Sequence, residues 1–230
     1  MIISHKYKFI FVKTAKTAGT SVEVFLSKYC DDRDVVTPII PPEQSHQPRN
    51  FSGYFNPIPE ILSHKPHQAF RTFTNLLRKK IFYNHISASL IKSRIPKSIW
   101  DNYFKFCIER NPWDKTLSHY YFVKSKKSNL SFDEYMQKRK FPFNYPYYTD
   151  GMSHKKIIVD EVVKYENLFE GLKGICDNLG IPFRSFLDVK AKTSHRLDRR
   201  PYQEVFSNKH RSVVEESFRR EIEMHGYKFD

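Results

Sequence analysis

Acidic residues are scarce in this chain. Its 25 Asp and Glu stand against 39 Lys and Arg, which leaves a formal charge of +14 over 230 residues and a pI near 9.6. The preferred partners of such a surface are anions: nucleotides, nucleic acid, acidic glycans or an anionic membrane surface. Cysteine is scarcer still. Cys30, Cys107 and Cys176 lie far apart with no CxxC spacing, which argues against a disulfide framework or a structural zinc site and suits a reducing cytosol. Long apolar runs are missing too. The opening MIISHKYKFIFVKTAKTAG is too short and too interrupted by lysine for a signal peptide or a membrane span, and no other window offers one. The expectation is a soluble, cytoplasmic protein. No internal repeat, low-complexity tract or metal-spaced cluster of carboxylates, His and Cys is present, so no metal is expected.

What the sequence does contain is core material. Hydrophobic residues make up 40% and aromatics 16%, with 20 Phe and 14 Tyr, enough for one domain over residues 1–230. Tyr7–Val12 reads as a strand, followed by a polar loop and a helix from Thr20 with Val22, Phe25, Leu26 and Tyr29 at helical spacing. Thr37–Pro66 carries seven of the 13 prolines and is expected to be an ordered excursion over the site. A helix (Gln68–Lys80), a short strand (Ile81–Asn84) and a helix from Ser87 follow. Tyr103–Ile108 is a second strand, running into a helix with Asn111 as N-cap and Pro112 in its first turn. Ser131 and Glu134 form a capping box. Ile157–Tyr165 reads as strand, Glu166–Leu179 as a helix stopped by Gly180, and Asn208–His225 as one long terminal helix. Strands alternating with helices predict an α/β fold with a mainly parallel central sheet flanked by helices.

Two stretches carry chemistry. Lys13-Thr14-Ala15-Lys16-Thr17-Ala18-Gly19-Thr20-Ser21 sets small residues, hydroxyls and two lysines between a strand and a helix N-terminus, where free amides and the helix dipole favour phosphate. It is not a Walker A loop, because no Gly occupies position 14 and Thr20 stands where the lysine would follow Gly19. In Glu109-Arg110-Asn111-Pro112-Trp113-Asp114-Lys115-Thr116-Leu117-Ser118, an Arg at a strand end precedes a helix bearing a Ser about two turns on. Together they offer a planar fork and a hydroxyl to one phosphate.

KTAGTS followed by RNPWDKTLSHYYF resembles the paired 5′-phosphosulfate loop and 3′-phosphate motif of sulfotransferases, particularly the carbohydrate branch that includes heparan sulfate 2-O-sulfotransferases. The resemblance implies a P-loop-like three-layer fold and the cofactor 3′-phosphoadenosine 5′-phosphosulfate. It implies that Lys16 stabilises charge on the leaving group, that Thr17, Ala18, Gly19, Thr20 and Ser21 hold the 5′-phosphate by amides and hydroxyls, and that Arg110 and Ser118 hold the 3′-phosphate. Lys13 belongs only to an electropositive rim. His85, in Phe82-Tyr83-Asn84-His85, resembles the segment holding that branch's catalytic histidine, with Glu43 and Glu60 as fallback bases. The basic run Lys190–Arg200 is similar to a late segment closing over the nucleotide, and Lys192, Ser194 and Arg196 are its candidate ligands. Lys164-Tyr165-Glu166-Asn167-Leu168 resembles a structural strand-to-helix junction of these enzymes, with Glu166 opening the helix. The implied acceptor is a carbohydrate or glycolipid; the aromatics of Phe141–Tyr148 either stack on sugar faces or belong to the core, and Lys155 and Lys156 either meet acidic groups or lie on the surface.

Two other readings compete. Ile157-Ile158-Val159-Asp160-Glu161 resembles an apolar strand ending in a magnesium-binding acid, as in a P-loop ATP-dependent enzyme. The high positive charge and the aromatics suit a nucleic-acid-binding module, although no recognised motif of that class occurs.

Overall fold

A computed structural model of the chain describes residues 1–63, 66–127, 129–151, 153–183 and 200–230. Its first elements are β1 (Ile2–Ser4), β2 (Phe9–Val12), α1 (Gly19–Ser27) and β3 (Val35–Val36). The proline-rich excursion then leads into α2 (Ile58–Ser63) and α3 (Pro66–Leu77), followed by α4 (Ala88–Arg94), α5 (Lys97–Asn102), β4 (Phe104–Glu109) and α6 (Pro112–Lys124). Next come α7 (Phe132–Lys138), α8 (Tyr145–Tyr148), β5 (Glu161–Lys164), a 3-10 turn (Tyr165–Asn167) and α9 (Leu168–Leu179). The described C-terminal part holds α10 (Tyr202–Val205), α11 (Asn208–Ser217) and α12 (Arg219–His225). Among the described residues no helix is long and apolar enough to cross a membrane.

The fold is mixed α/β around a five-stranded sheet of order β3-β1-β2-β4-β5. Its centre, β2-β4-β5, is parallel, while β1 and β3 add antiparallel to one side. Strand alternation divides the core. Ile2, Phe9, Phe11, Phe106 and Ile108 point to one face and pack with Phe25 and Leu26 of α1 and Leu172 and Ile175 of α9. Ile3, Ile10, Val12 and Cys107 point to the other face, onto Ala88 and Ile91 of α4, Trp100 of α5 and Tyr148 of α8. A third apolar cluster gathers Trp113, Leu117, Tyr135, Phe141, Val214 and Phe218 beside the sheet.

Several boundaries differ from the expectation. The opening residues form β1, which with β3 makes the sheet less parallel than predicted. Ile81–Asn84 is not a strand: the carbonyls of Lys80 and Ile81 accept from the guanidinium of Arg94 rather than from a neighbouring strand. The strand expected over Ile157–Tyr165 shrinks to β5, Ile157 making an isolated bridge to Thr149. The terminal helix breaks at Phe218 (φ −103°, ψ 17°), which is buried in the third cluster. The caps behaved as predicted: Asn111 accepts from the Trp113 amide ahead of Pro112, Ser131 and Glu134 close a capping box, and Gly180 ends α9 at φ 70°.

Candidate functional site

The parallel register brings three connections to one end of the sheet. Val12 pairs with Cys107 and Glu109 with Lys164, so the Lys13–Ala18 loop, Arg110-Asn111 and Tyr165-Glu166 all leave from the carboxyl ends of adjacent strands. In open α/β sheets, ligands bind at this end.

The loop after β2 is held from below. Thr14 Oγ1 donates to the Ile108 carbonyl, and the Ala15 amide donates to Asn144 Oδ1 at 2.8 Å while Asn144 Nδ2 returns a bond to the Ala15 carbonyl at 3.0 Å. Lys16 (φ 61°) and Ala18 (φ 56°) sit in the left-handed region, which turns the chain tightly into α1. Ala18 caps α1 without a side-chain hydrogen bond, and the amides of Thr17, Ala18, Gly19 and Thr20 meet no acceptor among the described residues. An uncapped N-terminus with converging amides is an anion site. Gly19 is required for closeness: a Cβ there would lie 2.9 Å from Lys13 Cγ. The Thr17 hydroxyl is turned away, 2.8 Å from Thr14 Oγ1, so Thr17 has its amide alone to offer. Lys13 is not on the rim. It is buried, its ammonium 2.7 Å from Glu23, which also accepts from the Met1 amino group and Thr37. Burial works to raise the Glu23 pKa, but these two cations outweigh it and hold the carboxyl low.

Arg110 joins the two motifs. Its Nη1 donates to the Lys16 carbonyl at 3.2 Å, its Nε and Nη2 grip Asp114 at 2.8 and 2.6 Å, and its guanidinium lies 4.1 Å from the Tyr165 ring centre. Glu166 accepts the Asn111 amide at 2.7 Å. The KYENL junction therefore shapes the Arg110 turn, and Glu166 lies in the 3-10 turn ahead of α9. Ser118 is half-buried one turn beyond Asp114 on α6. The Lys16 ammonium lies 4.6 Å above the Phe122 ring, on the same helix. Burial, then the charge of Lys16, push neighbouring His119 down to about 4.

His85 stands on the other side of the loop. Its Nδ1 is 3.1 Å from the Lys13 carbonyl. A carbonyl can only accept, so Nδ1 carries the proton and Nε2 keeps a lone pair. Burial and then Lys13 push His85 down to about 4, so the ring is neutral near pH 7. His85 lines a cavity of about 370 Å³ together with Asn84, Tyr83 and Tyr147. The aromatic loop divides: Phe141 and Tyr148 are core, while Phe143, Pro146 and Tyr147 face the cavity. Glu60 is buried and committed to Arg94, with Thr72 and Ser93 also on its carboxylate. Nor is it among the residues that line this cavity. Glu43 does not line this cavity.

Beneath the loop is a buried charge network. Lys115 lies 2.8 Å from Glu109 and 3.1 Å from Glu221, and Glu109 also accepts from Asn144 and Tyr148. Burial drives the Glu221 pKa up, against the pull of Lys115. Reading along the chain missed this network. Asp114, four residues after Arg110 in the first turn of α6, was detectable by its closeness in sequence; Asn144, 129 positions from Ala15, was not. Asp160, the candidate magnesium ligand, precedes β5 and pairs with Lys105 at 2.9 Å. It sits at the amino end of the strand, across the sheet from the loop, where a Walker-type acid cannot act. Lys192, Ser194 and Arg196 lie outside the described residues.

No protein-family model matches the chain. An uncharacterized protein from the archaeon Archaeoglobus fulgidus is 39% identical over 111 residues, which span 46% of this chain and 91% of that protein. The chain belongs to the same family as this archaeal protein. Among solved structures, the chain is similar to a sulfotransferase from Alicyclobacillus acidocaldarius (16% identity, 95% and 96% of the two chains, TM-score 0.39). It is also similar to a mouse sulfotransferase complexed with PAP (12% identity, 97% and 87%, TM-score 0.43).

Proposed function

We propose that the chain is a sulfotransferase that takes its sulfuryl group from 3′-phosphoadenosine 5′-phosphosulfate, with an acceptor hydroxyl on a carbohydrate. The observation that carries this reading is the hydrogen bond from Arg110 to the Lys16 carbonyl, which joins the two phosphate motifs at the carboxyl ends of β2 and β4. Helices on both sheet faces support a P-loop-like three-layer arrangement, and we read residues 1–230 as one domain.

The cofactor supplies an activated sulfuryl group when bound. The chain's residues do the rest. The amides of Thr17–Thr20, together with Ser21, would hold the 5′-phosphate, Arg110 and Ser118 would hold the 3′-phosphate, and Lys192, Ser194 and Arg196 are proposed as further nucleotide ligands. Lys16 stabilises charge developing on the leaving oxygen, which in such transfers carries most of the acceleration. His85 takes the acceptor proton on Nε2, and the Lys13 carbonyl steadies the resulting imidazolium through Nδ1. Anions gathered at the loop raise the basicity of His85 from its resting value. The neighbouring cavity, polar with aromatic walls, has the size of a small-ligand site and suits a sugar.

Arg110 is held by Asp114, which an incoming phosphate must displace or share. Calorimetric titration with adenosine 3′,5′-bisphosphate, without magnesium, tests the reading. Micromolar or tighter binding, together with no binding of ATP and magnesium, is expected; the reverse pattern overturns it in favour of an ATP-dependent enzyme.

A further inference from the structure

α3 is built inside out. Thr72 and Asn75 are buried on its inner face, with Thr72 donating to Glu60 beside the cavity. Phe70, Phe73 and Leu77, at spacing i, i+3 and i+7, share the opposite face and are 79%, 56% and 67% exposed. α2 packs against α3 and exposes Ile58, Ile61 and Leu62 in the same way. Soluble monomers rarely expose apolar side chains grouped like this without a partner. Directly after α3 come Arg78, Lys79 and Lys80, all exposed, with the Lys79 ammonium 5.1 Å over the ring of exposed Tyr54.

We infer that the outer face of α2 and α3 docks onto an anionic lipid bilayer. An apolar helix face flanked by a basic run and a tyrosine is the composition of an interfacial membrane contact: the apolar side chains enter the acyl boundary and the cations meet lipid phosphates. Charge selects this occupant over a second copy of the chain. A two-fold contact through the patch would set one Arg78–Lys80 run near another, on a protein already carrying +14. α3 lines the cavity through Arg71, Thr72 and Asn75, so docking would set this one helix between the cavity and the bilayer. The surface does not depend on what the cavity binds.

The test is co-sedimentation of the full chain with phosphatidylcholine vesicles containing about 30% phosphatidylglycerol, beside pure phosphatidylcholine vesicles, with the oligomeric state read by sedimentation velocity. The expected result is a monomer that pellets with the anionic vesicles, with binding weakened about tenfold both by Phe70→Ser/Phe73→Ser and by Arg78→Glu/Lys80→Glu. These side chains are exposed, so both variants should melt as the parent does. A parent that stays in the supernatant, binding unchanged in both variants, equal binding to neutral vesicles, or a dimer that Phe70→Ser/Phe73→Ser dissociates would each overturn the inference. Bisphosphate titration of the same samples reads the transfer proposal separately.

Discussion

The two sides of His85 are built on opposite plans. Toward the sheet, the Lys13–Ala18 loop is clamped by polar bonds from Thr14, Asn144 and Arg110, and α1 behind it is almost wholly buried. Away from it, α3 keeps Thr72 and Asn75 inside and Phe70 and Phe73 outside. The first side spends its side chains on fixing backbone amides in space, as an anion cradle requires. The second is a thin wall with a cavity on one face and solvent on the other. Substitutions should therefore be severe on the first side and nearly silent in stability on the second.

The largest expected effect is on the cradle. Lys16→Ala should lower the rate of sulfuryl transfer about a thousandfold, measured in single turnover, while nucleotide affinity falls much less. Equal losses in rate and affinity would reduce Lys16 to a binding residue. Asn144→Ala removes both bonds to Ala15 and one to Glu109 in a fully buried setting. Urea unfolding should show a loss of about 2–3 kcal/mol, with nucleotide binding weakened as the loop relaxes.

Acid should act on the cradle side as well. His85 and His119 are both held near 4 when folded, against 6.5 for the free side chain. The unfolded chain takes up protons that these two folded rings refuse, so the stability they contribute is complete above about pH 6.5 and falls as pH drops toward 4. In urea midpoints across that window, His85→Gln should flatten the slope. Asp114→Asn should strengthen bisphosphate binding about fivefold, roughly 1 kcal/mol, by freeing Arg110; weaker binding would mean that Asp114 orients Arg110 rather than competing for it. On the other wall, Phe73→Ser should change stability by no more than about 0.5 kcal/mol.

The same contrast explains what the sequence made legible. The Lys13–Ser21 loop and the Arg110 turn could be read because each is local: small residues between a strand and a helix, or an Arg ahead of an Asn-Pro cap. His85 could be located, but its tautomer depends on a carbonyl 72 positions away. Lys13 was misread as rim, because its partner Glu23 is buried only once α1 packs on the sheet. Glu60 was misread as a possible base, because Arg94 reaches it from α4. Ile81–Asn84 had strand-like residues, but its Ile81 carbonyl accepts from the same Arg94 and not from a neighbouring strand. Tertiary partners, not local propensity, decided each of these.

The central claim is that the loop and Arg110 form one site for a doubly phosphorylated nucleotide. Its most direct test is the ratio of affinities for adenosine 3′,5′-bisphosphate and adenosine 5′-monophosphate, in the parent and in Arg110→Ala. The account predicts a preference of about a hundredfold for the bisphosphate, as expected of a charge-assisted contact, that collapses toward equality in the variant. No preference in the parent, or a preference that survives loss of Arg110, would contradict it.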